Sequence, residues 1–234
     1  TDVQDAINEE ALKEKYLDKS KKNPGKTAQA GMVLLDHKTG YVLGVMGGLG
    51  EKTTTLGFNR GTSQVKQTGS SMKPLSVIVP GLTTGTITGA TVYIDQPTTW
   101  GNGPKPYSPK NYDGFEKRFF VNMRQAIEVS ANVPHVKALS NIGTEASVDF
   151  CESIGMPRFE AEGLSLALGG LNGGVSPTQM AAGYASIASG GTYRAPIFYT
   201  KVTDSKGKVL YEPEKVENRV MTEQVAYIAS DILK

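Results

Sequence analysis

Residues 70–82 read "SSMKPLSVIVPGL", a polar entrance followed by an apolar run from Leu75 onward. Pro74 is tolerated in a helix only in its first turn, where no amide donor is needed, so a helix begins close to Ser70 and Ser71. Residues three apart share a helix face, so Lys73 reaches back over the hydroxyl of Ser70. A serine needs a base to become a nucleophile, and a lysine kept neutral by desolvation can serve as that base. The four letters S-x-x-K alone prove little, because an N-capping serine beside a snorkelling lysine gives the same spacing. The pattern occurs three times, at Ser63/Lys66, Ser70/Lys73 and Ser205/Lys208. The first lies in a polar loop without helical periodicity, and the last spans a glycine-containing turn. Only Ser70/Lys73 stands at an apolar helix entrance, where a buried ammonium is destabilised.

On the N-terminal side, residues 50–69 are polar and rich in Gly and Thr, which reads as loop. Before them, "AGMVLLDHKTGYVLGVMGG" (30–48) is two apolar, Val-rich runs joined by a Lys-Thr-Gly turn, a β-hairpin over 31–48. Asp2 to Tyr16 carries Val3, Ile7 and Ala11 at helical spacing, and the basic stretch Lys19–Lys26 reads as a solvated loop. On the C-terminal side, segment 84–118 is rich in Gly, Pro, Asn and aromatics and reads as a long structured loop. A helical region follows over 118–190. In it Met123, Ile127 and Ser130 share one face, and Pro134 disfavours helical geometry at Val133, which places Ser130-Ala131-Asn132 at a helix end. A later helix starts at Thr144 and is closed by Gly155 and Pro157. Ser176-Pro177-Thr178-Gln179 is a capping box with proline at the first helical position. Residues 193–211 read as an accessory hairpin around Asp204–Gly207, and a final helix starts at Thr222. There is no internal repeat.

The 234 residues suffice for one large domain or two small ones. A net charge of +2 without a basic cluster points to neither nucleic acid nor an anionic membrane. The single cysteine, Cys151, excludes an internal disulfide; its helical spacing between Val148 and Ile154 predicts a buried, inert thiol. Two scattered histidines and one cysteine make no metal site, no phosphate-cradling glycine loop is present, and no cofactor is expected. No apolar run approaches the roughly 20 residues needed to span a bilayer, and no signal-peptide pattern stands at Thr1. The chain begins without methionine and ends on Lys234 inside a helical pattern, so both ends read as cut edges.

Ser130-x-Asn132 is the only S-x-N in the chain. A second hydroxyl can relay a proton to a leaving group, and a carboxamide can hold a substrate amide. Together with Ser70 and Lys73 it resembles the penicillin-recognising serine enzymes, whose motifs are S-x-x-K, S-x-N or S-D-N, and K-T-G. The closer likeness is to the transpeptidase domain of bifunctional, class A penicillin-binding proteins, and it covers nearly the whole chain. It is carried by the opening hairpin, by "FNRGTSQVKQTGSSMKP" (58–74), "YSPKNYDG" (107–114), "RQAIEVSANVPHVK" (124–137) and "LSLALGG" (164–170). By that resemblance Ser70 is the acylated nucleophile and Lys73 its general base. Ser130 passes a proton to the departing amine, Asn132 binds the acyl-side amide of the substrate, and the Ser70 backbone amide donates one oxyanion hydrogen bond.

The implied fold is α/β of the α+β type, β-lactamase/DD-transpeptidase-like, with a largely antiparallel sheet between helical layers. In the family the K-T-G motif follows S-x-N on a central strand. The only K-T-G here, Lys38-Thr39-Gly40, precedes the nucleophile in a hairpin turn, so Lys38 is rejected as a substrate residue. The chain 1–234 therefore reads as the N-terminal portion of the domain, and a complementary C-terminal chain carrying K-T-G is the expected partner. The implied activity is DD-transpeptidation of peptidoglycan stem peptides, with β-lactam antibiotics acylating the same serine. The implied location is the extracytoplasmic face of the bacterial membrane, with an anchor and a glycosyltransferase domain outside these residues. Two alternatives are a serine β-lactamase and a β-lactam sensor. Against the first, Glu160 and Glu162 do not match the family's E-x-x-L-N pattern; against the second, the context of Ser70 differs from that of sensor domains.

Overall fold

The computed structural model describes residues 2–13, 28–115, 119–159 and 162–234. The basic stretch Lys19–Lys26, the end of the helix read to Tyr16, and Glu160 lie outside the described residues. The fold is built around one continuous helical run. It opens as a 3-10 turn, Gly69–Met72, widens into a π turn, Pro74–Ile78, and ends as α2 (Val79–Thr83). The two prolines explain the irregularity. Pro74 has no amide for the Ser70 carbonyl, which accepts from Lys73 N–H instead. Pro80 likewise leaves the Ser76 carbonyl without its helical donor, and the Ser147 hydroxyl donates to it at 2.6 Å.

From Met72 to Gly81 this run is buried: Met72, Leu75, Val77, Ile78 and Val79 are wholly enclosed. Each of Leu75, Val77 and Ile78 contributes roughly 1.5–3 kcal/mol by leaving water. Packed around it are α4 (Asn132–Ile142), α5 (Thr144–Ser153) and the 3-10 helix Gly163–Leu168. Their Val136, Leu139, Val148, Cys151 and Leu166 join the same core as Met72. Burial pushes the Cys151 thiol up to about 12, so it stays an inert thiol.

Short antiparallel pairs flank these helices. The strands β1 (Met32–Leu35) and β2 (Val42–Met46) pair around a turn in which Asp36 accepts from Lys38 N–H and from the Thr39 hydroxyl. Over β2 lies α1 (Asp2–Ala11): a side chain on Gly44 would strike Ile7, and the Gln4 carboxamide bonds both main-chain groups of Val45. Residues 84–118 are not wholly loop. β3 (Val92–Ile94) pairs with β4 (Phe120–Asn122), which lies within the region read as helical. Likewise β5 (Thr192–Arg194) pairs not within 193–211 but with β8 (Glu217–Arg219); the inner pair is β6 (Val202–Thr203) with β7 (Val209–Tyr211). Among the described residues every sheet has two strands.

The remaining helices have side-chain caps. α3 (Met123–Glu128) starts on an Asn122/Gln125 capping box, α6 (Pro177–Ala188) on Ser176/Gln179, and α7 (Glu223–Ile232) on Thr222. The reading of Pro134 needs correction. Val133 is helical, because Pro134 sits in the first turn of α4, where its missing donor is not needed.

Candidate active site

Four of the residues singled out in the sequence meet at the entrance of the central helical run. Ser70 is exposed in the 3-10 turn, while Lys73 is fully buried one turn on. Its Nζ lies 3.2 Å from Ser70 Oγ, 2.9 Å from Ser130 Oγ, 2.7 Å from the Ser130 carbonyl and 2.8 Å from Asn132 Oδ1. Among the described residues no carboxylate bonds to it. Burial alone pulls the Lys73 ammonium down to about 8 from its ordinary 10.5.

The partners define what this amine can do. A neutral amine has two N–H donors and one lone pair, and the Ser130 carbonyl and Asn132 Oδ1 can only accept. They take both donors, which leaves the lone pair facing a hydroxyl, that of Ser70 or of Ser130. An ammonium adds a third donor, which the same hydroxyl oxygens accept. The arrangement therefore allows a proton to pass between hydroxyl and amine by reversing one hydrogen bond, with the cage already in place.

Ser130 reaches Lys73 through an unusual backbone. It is the only non-glycine residue with positive φ (54°) among the described residues. Its N–H donates to the Ile127 carbonyl and that of Ala131 to the Ala126 carbonyl, the two bonds of a Schellman motif closing α3. Ser130 thus takes the left-handed position that glycine usually fills, and this turn aims both its carbonyl and its hydroxyl at Lys73. Such a conformation costs a side-chain-bearing residue about 1–2 kcal/mol, and retained strain of this kind clusters at functional sites.

Two residues escaped the sequence reading. Asn111 Oδ1 accepts from Asn132 N–H at 2.7 Å and Val133 N–H at 3.3 Å. Lys110 O accepts from Asn132 Nδ2 at 2.7 Å, which turns Oδ1 of that carboxamide toward Lys73. Neither carries a local signal, since both act across some twenty residues of chain. His135, beneath the site on α4, donates from Nδ1 to the Ala131 carbonyl at 2.6 Å, and its Nε2 has no partner among the described residues. Burial, and secondly the charge of Lys73, hold it neutral with a pKa of about 3.

The approach to Ser70 is shaped by glycines. Gly69 has φ +58°, and a side chain on Gly169 (φ +68°) would lie 2.3 Å from the Gly69 carbonyl and 2.5 Å from Thr68 Oγ1. The "LSLALGG" segment can therefore pack directly against the backbone that carries the serine. The other two S-x-x-K pairs do not form such a site. Lys66 pairs its main chain with Val175, and the Ser205–Lys208 turn is held by Asp204, which accepts from Lys206 and Lys208 N–H. Glu162 accepts from Asn172 N–H. Among the described residues no group of histidines, cysteines and carboxylates forms a metal site, and no helix is long and apolar enough to cross a membrane.

Comparison with known proteins gives a consistent match. The model of the penicillin binding protein transpeptidase domain matches residues 30–234. Penicillin-binding protein 1A of Clostridium botulinum (strain Hall) is 35% identical over 233 residues, covering 94% of this chain and 27% of that protein. Penicillin-binding protein 1F of Bacillus subtilis is 34% identical over 208 residues, covering 88% of this chain and 28% of its own length. The chain thus spans a little over a quarter of these relatives. Among solved structures, penicillin-binding protein 1A from Haemophilus influenzae superposes with a TM-score of 0.77 at 23% identity, over 90% of this chain and 35% of the other. An imipenem acyl-enzyme complex of penicillin-binding protein A from M. tuberculosis gives 0.72 at 16% identity, over 87% and 56%.

Proposed function

This chain belongs to the penicillin-binding protein transpeptidase domain family, and from that premise we propose that it carries the acylation half of a peptidoglycan DD-transpeptidase. The observation that carries the reading is the enclosure of Lys73 between two serine hydroxyls and two obligate acceptors. Ser70 Oγ attacks the carbonyl carbon between the two D-alanines of a stem peptide while its proton passes to the Lys73 lone pair. The tetrahedral oxyanion is met by the Ser70 backbone amide. As the C–N bond breaks, the departing D-alanine amine takes a proton through Ser130, which Lys73 replenishes. A neighbouring stem amine then attacks the acyl-enzyme, forming the crosslink and returning Ser70. Asn132 has a second N–H on Nδ2 beyond the one given to Lys110, and that N–H binds the acyl-side amide of the donor stem. A β-lactam acylates Ser70 by the same first step.

The second oxyanion amide and the K-T-G motif come from strands that complete the domain, since no K-T-G follows Asn132 in this sequence. Activity on this reading takes place at the extracytoplasmic face of the bacterial membrane. A serine β-lactamase would need a group that activates water against the acyl-enzyme. Neither Glu160 nor Glu162 stands in the E-x-x-L-N pattern that supplies such a group in class A lactamases, which favours the transpeptidase. Mass spectrometry of the completed domain after penicillin treatment tests the assignment: one covalent adduct is expected, on Ser70. An adduct mapped elsewhere, or one that persists in Ser70→Ala, overturns it.

A further inference from the structure

We propose that Asn111 is a positioning residue for the acylation step, one that sets Asn132, and through it the Lys73 cage, from a loop 21 residues away. The inference rests on the transpeptidase reading above. Its basis is a complete accounting of donors at the head of α4. The N-cap residue of that helix is Ala131, whose methyl group cannot accept a hydrogen bond. The first-turn amides that need an acceptor are those of Asn132 and Val133, because Pro134 has none to offer. Asn111 Oδ1 takes both. Asn111 therefore caps α4 in place of the missing side-chain cap, and the residue it holds most tightly, at 2.7 Å, is Asn132 itself.

The other end of the Asn111 amide is as specific. Nδ2 donates to Asp95 Oδ1 at 2.7 Å and to the Gly114 carbonyl at 3.4 Å. Both are acceptors, so the amide cannot be turned over without losing bonds at both ends. Asp95 and Asn111 are both buried, so this is an anchored pair. Beside them Lys110 O holds the Asn132 carboxamide. The dipeptide Lys110–Asn111 thus grips Asn132 by its main chain and its side chain, and Asn132 Oδ1 takes one of the two donors of neutral Lys73. Loss of the anchor lets that acceptor move, and the Lys73 lone pair loses its aim at the hydroxyls.

The polarity of the pair supplies the test. Asn111→Asp keeps an acceptor for the two amides but sets a carboxylate against Asp95. The double variant D95N/N111D reverses the bond, with the new amide at 95 donating to the new carboxylate at 111, which still caps α4. Acylation of the complete domain by a chromogenic β-lactam is resolved into the binding constant and the first-order acylation constant. Thermal midpoints are measured alongside, with Ser176→Ala, a cap loss on α6, as the control for stability alone. Asn111→Asp, or the milder Asn111→Ser where the former does not fold, is expected to lower the acylation constant at least 10-fold. Ser176→Ala leaves it within 2-fold, and the swap restores it to within about 3-fold. Three results overturn the inference: wild-type acylation in the Asn111 variants, an equal loss in Ser176→Ala at matched stability, or a swap that recovers the thermal midpoint without the rate. If wild-type protein is not acylated on Ser70 at all, it is the transpeptidase reading that fails.

Discussion

The fold and the proposed function make opposite demands on Ser130, and its φ of +54° is where they conflict. The turn wants glycine, whereas the proposed chemistry wants a hydroxyl. Left-handed backbone costs a non-glycine residue about 1–2 kcal/mol, and glycine's greater freedom in the unfolded chain returns about 0.5–1 kcal/mol of that. Ser130→Gly also gives up the hydroxyl's bond to Lys73, worth about 1 kcal/mol, so it should stay within about 1 kcal/mol of wild-type stability, while β-lactam acylation falls about 10²–10⁴-fold through loss of the relay. A variant that is destabilised well beyond that and acylates normally contradicts both halves of the argument. Lys73 allows a second test. Only its neutral form accepts the Ser70 proton, so the acylation rate should rise with pH and reach half its plateau near pH 8. His135, with a pKa of about 3, adds no limb between pH 5 and 9. A flat profile across pH 6–10 removes Lys73 as the base. The meeting of Ser70 and Lys73 was legible because i to i+3 spacing is local. The left-handed turn at Ser130 was not, since no glycine marks it, and Asn111 contacts its targets only after the chain has folded.

At the scale of elements, one rule for proline places the helix near Ser70 and misplaces the geometry of Val133. Pro74 follows the opening 3-10 turn and widens the run into a π turn, whereas Pro134 lies in the first turn of a new helix that starts directly after another one ends. What the rule lacked was the acceptor from Asn111, which makes a new start at Asn132 affordable in donors. The strand Val92–Ile94 was hidden in a Gly- and Pro-rich stretch because three residues are too few for an alternation signal. Caps, by contrast, are local chemistry, and Ser176 and Thr222 were both visible. The packing of the Gly163–Leu168 helix on the turn that carries Ser70 depends on Gly169, which no local pattern separates from an ordinary helix-ending glycine. Gly169→Ala adds a methyl group 2.3 Å from the Gly69 carbonyl on top of positive-φ strain. Gly85→Ala, also at positive φ but with open space around it, adds strain alone. Chemical denaturation should show about 1 kcal/mol lost in Gly85→Ala and about 2–3 kcal/mol in Gly169→Ala. Only the latter should slow acylation, because the backbone that moves is the one carrying Ser70. Equal effects on stability and rate in the two variants refute the packing argument.

At the scale of the molecule, the β1–β2 hairpin is covered on one edge only. Beside β2, Gln4 binds both main-chain groups of Val45, a side chain standing in for a strand. Beside β1, among the described residues, no strand pairs with the other edge. Met32, Leu34 and Leu43 stay 41%, 44% and 43% exposed, a large fraction for apolar strand residues in the middle of a domain. An open edge with apolar neighbours invites pairing with another strand. The order of motifs asks for the same thing, because the K-T-G strand of the family follows S-x-N and is absent here after Asn132. On the proposed function one event would meet both needs: later strands of the domain pairing along β1 would cover the apolar residues and bring the second oxyanion amide toward Ser70. Losing one oxyanion donor costs about 10²–10³-fold in rate. The 234-residue chain by itself should therefore be acylated by penicillin at least 100-fold more slowly than the same chain extended through the K-T-G strand. It should also bind a hydrophobic dye that the extended chain excludes. Supplying the later strands as a separate polypeptide should raise the acylation rate and displace the dye together, since one pairing produces both. If the chain alone is acylated as fast as the extended one, the open β1 edge is unconnected to the chemistry at Ser70.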